Sequence, residues 1–203
     1  MNLLRWLVSA LAVVALVASA FLTLAALRPE PESLEFDAYD VTGVTWGRDF
    51  HLIGHDGKPR ELADFRGKVA ALYFGYTRCP DVCPTTMATL GQAVRLLGND
   101  AKRVQGLFVT VDPSHDKPAV LARYVPPFHE SFIGLYGDAQ AIERTAREFK
   151  VQSSRDHSSP VFVFDPRGRL RLILQPEATP ESIARDMRHL LQENELARRL
   201  GVT

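Results

Sequence analysis

The sequence predicts an α/β fold with a mixed central sheet flanked by helices. Three observations carry that prediction. Two near-continuous apolar runs, "KVAALYFGY" and "VQGLFVTVD", leave no room for polar alternation, as expected of strands buried on both faces. Segments with apolar residues at helical spacing alternate with them, which argues for a largely parallel centre. A closing hairpin pattern, "PVFVFDPRGRLRLIL", adds antiparallel strands and makes the sheet mixed.

Each element has its own signal. "DFHLIGHDGKPREL" alternates at Phe50 and Leu52 and turns at His55-Asp56-Gly57-Lys58, which reads as a hairpin. Lys68–Tyr76 is the first buried strand. A helix is expected from Pro84 or Thr85 through Met87, Leu90, Val94 and Leu97, where apolar residues recur at helical spacing. Val104–Asp112 is the second buried strand. Lys117–Val125 and Asp138–Lys150 read as helices, the latter amphipathic. The late hairpin pairs Val161–Phe164 with Leu170–Leu174 around Asp165-Pro166-Arg167-Gly168. Thr179-Pro180 then opens a long helix that ends at Gly201 and turns Ile183, Met187, Leu190 and Leu191 inward, in keeping with proline at a helix start and glycine past its end.

Ahead of this domain, residues 6–27 carry no charge. A bilayer-spanning helix needs roughly 20 residues, whereas the apolar region of a signal peptide is about 7–15 long. The expectation is an uncleaved, single-pass anchor, with cleavage after the small residues Ala18–Ala20 as the alternative. Residues 1–5 form a short cytoplasmic tail, 28–40 a proline-rich acidic linker, and 41–203 a domain outside the cytoplasm. In a bacterium that places the chain in the inner membrane and the domain in the periplasm. The balance of 24 basic and 24 acidic residues gives no basic surface to draw nucleic acid.

The chain has two cysteines, Cys79 and Cys83, in "LYFGYTRCPDVCPTT". They lie where a central strand hands over to a helix, the end of an open α/β sheet at which ligands bind. A helix N-terminus, with Arg78 adjacent, is expected to favour thiolate. In an oxidising compartment the pair is a staple, a redox couple or a metal site. As a staple it would close a very short loop and gain little chain entropy. On a regular helix, residues four apart have Cβ atoms about 5–6 Å apart, and a disulfide needs about 3.5–4.5 Å. An oxidised pair therefore needs a bend, which Pro80 and Pro84 favour. Two sulfurs with an imidazole suit Cu(I) or zinc. Of the six histidines, His189 reads as solvated, and His51 and His55 flank the hairpin turn. His129 sits in a loop, His115 follows a strand end, and His157 immediately precedes a buried strand.

"GYTRCPDVCPTT", "VTVDPSHDKP" and "DHSSPVFVFDPRG", in that order, resemble the Sco/SenC/PrrC copper chaperones. These are membrane-anchored, thioredoxin-fold proteins implicated in building the dinuclear copper centre of cytochrome c oxidase. The resemblance runs from about Phe50 to the final helix. It implies a thioredoxin-like fold, a bound copper ion, Cys79 and Cys83 as sulfur ligands and His157 as the nitrogen ligand. It also implies a supporting role for Asp112 and Asp116, which the residues alone read as ordinary turn chemistry. The implied partner is the oxidase subunit that carries the dinuclear copper site, with other copper carriers and thiol reductants as further partners. Two features depart from the family pattern. The stretch "VQSSRD" before His157 is short, and Pro160 is absent from many of these chaperones. Pro160 is similar instead to the cis-proline of thioredoxin-like oxidoreductases, although only about 5–6% of X–Pro bonds are cis. A cis Ser159–Pro160 bond would favour docking of an extended thiol substrate beside Cys79.

The leading expectation is therefore a metallochaperone rather than an enzyme. The alternative is a thiol–disulfide reductase acting on the cysteines of an oxidase subunit or another extracytoplasmic protein through the same pair. A peroxidase reading using Thr77 and Arg78 fits poorly, because the threonine lies two residues before the cysteine rather than three as in that related family.

Overall fold

The computed structural model describes Trp6, Leu16, Ala18, Ser19 and residues 35–151 and 160–201. The chain divides into two units, Met1–Glu35 and Phe36–Thr203. In the first, Trp6, Leu16, Ala18 and Ser19 are helical and exposed. The rest of the expected anchor lies outside the described residues, and no described helix is long and apolar enough to cross a membrane.

The second unit is built on one sheet. Its described strands are β1 (Tyr39–Asp40), β2 (His51–Gly54), β3 (Pro59–Glu61), β4 (Val69–Gly75), β5 (Val104–Thr110), β6 (Ile133–Tyr136), β7 (Val161–Phe164) and β8 (Leu170–Ile173). They lie in the order β1-β8-β7-β4-β5-β6-β2-β3. β4, β5 and β6 run parallel, and the neighbours on both sides run antiparallel to them. The helices are α1 (Val82–Leu96), α2 (Pro118–Tyr124), α3 (Ala139–Glu148) and α4 (Pro180–Arg199).

Every residue of β4 and β5 is buried, because the sheet is covered on both faces. Val69, Ala71 and Tyr73 of β4 face a core completed by Met87, Leu90 and Val94 of α1 and by Met187 and Leu190 of α4. Ala70, Leu72 and Phe74 face the other core, with Phe65, Ile142 and Phe149. This two-sided burial explains why the apolar run shows no alternation. The cysteines belong to the α1–α4 face.

Two expectations are corrected, and one strand is added. The helix after the cysteines starts at Val82, before Pro84. Proline is tolerated there because first-turn N–H groups have no partner within the helix. β6 carries no signal in the sequence reading: it is only four residues long and Gly134 interrupts its apolar run. The folded unit begins at Phe36, so residues 36–40 of the expected linker belong to it. The Asp186 carboxylate of α4 accepts the backbone N–H groups of Asp37 (3.0 Å) and Ala38 (2.9 Å), and β1 pairs with β8 immediately after. Burial pushes the Asp186 carboxyl above its ordinary value, against the pull of those two amides.

This latch is open to test. Asp186→Ala leaves two amides unpaired, and each buried donor left so costs about 1–3 kcal/mol. Hydrogen exchange should accelerate at residues 37–40 while the amides of β5 keep their protection, and unchanged exchange at residues 37–40 would refute the latch.

Candidate metal centre

β4 ends at Gly75, a turn carries Cys79, and Cys83 lies in the first turn of α1. The backbone N–H of Cys79 closes that turn onto the Tyr76 carbonyl at 3.2 Å. Both cysteines are buried thiols, without a disulfide. Cys79 Sγ accepts the Cys83 backbone N–H at 3.3 Å, which sets its sulfur against the start of α1. Cys83 Sγ accepts the Tyr73 phenol at 3.4 Å.

The electrostatics depart from the sequence expectation. Burial pushes the Cys83 thiol up to about 11, and the neighbouring Cys79 adds to that push. Hydrogen bonds from the Tyr73 phenol and the Tyr76 backbone pull the other way without prevailing. Desolvation at the end of a doubly covered sheet outweighs the helix N-terminus. Arg78 does not act as the expected counter-charge, because its guanidinium donates to Asp112 Oδ2 at 2.7 Å.

The two acids of "DPSHD" clamp the thiol turn. Asp116, 1% exposed, accepts the Thr77 N–H at 2.9 Å, the Thr77 hydroxyl at 2.6 Å and the Thr110 hydroxyl at 2.7 Å. Asp112 accepts from Ser114 at 2.5 Å and from Arg78. The Ser114 hydroxyl, then the Arg78 guanidinium, hold its carboxyl down at about 2. Together they tie the loop after β5 to the residues directly before Cys79. Thr77 and Arg78, the residues a peroxidase would use, are both engaged in this clamp.

Gly75 is required by close approach. A Cβ there would lie 2.7 Å from Phe108 Cε2 and 3.1 Å from Cys83 Sγ.

His157 and Ser159 lie outside the described residues, so the nitrogen ligand and the isomer of the Ser159–Pro160 bond are not placed. Pro160 itself lies directly before Val161, which pairs with Tyr73. It lines a groove of about 580 Å³ together with Val82, Thr86, Leu90 and Ile183. The other histidines are positioned elsewhere. His55 Nδ1 accepts the Gly134 N–H at 2.9 Å, and His129 bonds Ser131. His115 is exposed. His189, expected in solvent, is half-buried against the Phe36 ring and has a buried Nδ1. Asp49, His51 and Glu61 bring donor atoms within 4.8 Å of one another. All three are exposed, and ion pairs at 3.4 and 3.6 Å account for the grouping.

A pair of buried thiols at a strand-to-helix turn, locked from below by two carboxylates, defines a domain built for thiol or soft-metal chemistry. The SCO1/SenC family model matches residues 41–192, and the chain belongs to that family. It is 39% identical over 133 residues to the mitochondrial protein SCO2 homolog of Danio rerio, covering 59% of this chain and 48% of that one. The chain spans about half the length of the first curated relatives it matches. Among solved structures, apo Sco1 of Thermus thermophilus superposes with a TM-score of 0.66 at 37% identity, covering 78% of this chain and 97% of that one. ScoI of Bradyrhizobium japonicum, solved with copper bound, gives a TM-score of 0.61 at 30% identity, covering 70% and 97%. The fold is accordingly thioredoxin-like, with the mixed, helix-flanked sheet expected from the sequence.

Two outcomes follow from this geometry. Asp112 is depressed in the fold, so its stabilising contribution is complete above the usual carboxylate range and is lost as pH falls through about 2. Thermal melts from about pH 5 down to about pH 2 should show that loss, with a shallower decline in Asp112→Asn; parallel curves would exclude the clamp as its source. Gly75→Ala should lose about 1–3 kcal/mol in urea unfolding through overpacking and alter the labelling rate of Cys83. A neutral result would show that Phe108 and Cys83 give way freely.

Proposed function

We propose that this chain is a copper chaperone of the extracytoplasmic space, held at the membrane by residues 6–27. Cys79 and Cys83 supply two sulfurs, and His157 supplies a nitrogen. The cargo passes by ligand exchange to the subunit of cytochrome c oxidase that carries its dinuclear copper site. The observation that carries this reading is the buried, reduced dithiol at the strand end, in a family one of whose solved members carries copper. Soft sulfur donors select Cu(I). Pro160 lies three positions after His157, a stretch that spans at most about 11 Å. Pro160 borders the same groove as Val82, the neighbour of Cys83, which supports a ligand supplied from the residues just before it. Asp112 and Asp116 support the site by holding the Thr77-Arg78 segment, without touching metal. Copper binding must displace thiol protons, and Cys83 holds its proton firmly.

The second reading is a thiol–disulfide reductase. It is favoured by the same proximity of Cys79 Sγ to the start of α1. One thiolate would attack a partner disulfide, and the other would resolve the mixed disulfide. Pro160 would then serve to dock the extended thiol substrate.

The test is a Cu(I) titration of the reduced full chain in detergent against a competing chelator, beside His157→Ala. One tight equivalent, weakened about 10–100-fold or more in the variant, is expected for loss of a ligand. No tight binding in either protein would replace the chaperone with the reductase. Equal affinity in both would remove His157 from the ligand set.

A further inference from the structure

The two sulfurs have different hydrogen-bond donors. Cys79 takes a backbone amide, whereas Cys83 takes the side-chain phenol of Tyr73. Tyr73 is 2% exposed and lies on β4, whose other residues are apolar. Its ring packs on Phe108 with centroids 6.2 Å apart, a contact that phenylalanine would make equally well. A buried hydroxyl costs about 1–3 kcal/mol unless it is bonded. This hydroxyl carries the one side-chain polar atom of the strand, and it donates to a sulfur. The phenol therefore aims a fixed donor at one of the two sulfurs from inside the core.

We propose that Tyr73 is a positioning residue that sets the oxidation-state preference of the bound copper: its phenol donates to the Cys83 sulfur and biases the site toward Cu(I). A donor aimed at a thiolate withdraws electron density from the sulfur. The Cu(II)–thiolate bond depends more on that density than the Cu(I)–thiolate bond does, so the oxidised complex loses more. Hydrogen bonding around cysteine sulfur is a recognised control on the potential of copper and iron–sulfur sites. In this chain the control is built into β4, so it persists however the histidine side of the site is arranged. This inference rests on copper binding at Cys79 and Cys83.

The experiment compares the full chain with Tyr73→Phe and with the chain carrying 3-fluorotyrosine at position 73. It reads bound copper per chain, the ratio of Cu(II) to Cu(I) affinity, and the thiolate-to-Cu(II) absorption band. Tyr73→Phe should still bind one equivalent. Its Cu(II) affinity should rise relative to Cu(I) by about 3–10-fold, the equivalent of one hydrogen bond. Its absorption band should move to longer wavelength, since a more electron-rich sulfur gives up charge more readily. 3-Fluorotyrosine at position 73, a stronger donor of nearly the same shape, should shift both quantities the opposite way, and it carries the test should Tyr73→Phe fail to fold. Undiminished copper binding with an unchanged ratio and band would overturn the inference and leave the chaperone reading standing. A wild-type chain that binds no copper would overturn both.

Discussion

Asp116 is the group on which the site depends. Its carboxylate is buried, yet three donors from two separate segments converge on it: the Thr77 amide and hydroxyl, and the Thr110 hydroxyl. A buried carboxylate without partners would be costly. Satisfied in this way, it fixes the turn before Cys79 against the end of β5. Asp112 repeats the arrangement one turn away through Arg78. The turn that carries the thiols is thus placed by hydrogen bonds to the residues just ahead of Cys79.

The rest of the molecule makes that clamp rigid. β4 and β5 are paired along seven residues, from Val69 with Val104 to Gly75 with Thr110, and both are closed on each face by helices. The register brings Gly75 and Thr110 to the same level, so the thiol turn and the acid-bearing loop leave the sheet side by side. Gly75 keeps the space in which Cys83 Sγ approaches the strand. α1 then carries Cys83 back over the Tyr73 face of the sheet.

The reduced pair occupies a site of low polarity. Burial holds the proton on Cys83, and the phenol of Tyr73 is pushed upward for the same reason. Such a site keeps the Cys83 thiol protonated and unreactive until a strong competitor for sulfur arrives. A soft cation is such a competitor. The environment that makes Cys83 a poor free nucleophile is compatible with its service as a ligand.

The sequence by itself determined the fold class, the central strands, the late hairpin and the last helix, because each rests on local periodicity or on local capping. Thr179 and Ser182 do form the reciprocal cap that opens α4. It also singled out Cys79 and Cys83, and the motif order pointed to the family. Tertiary structure decided what local pattern cannot carry. β6 is a strand because β5 and β2 flank it, although Gly134 breaks its own signal. The segment from Phe36 to Asp40 is folded because Asp186, nearly 150 residues away, accepts its amides. The protonation of Cys83 was misjudged from the helix start because burial, a sum over distant side chains, outweighs a neighbouring dipole. Tyr73 read as one more apolar position in a buried run. Only the packing of α1 against β4 turned its hydroxyl toward a sulfur.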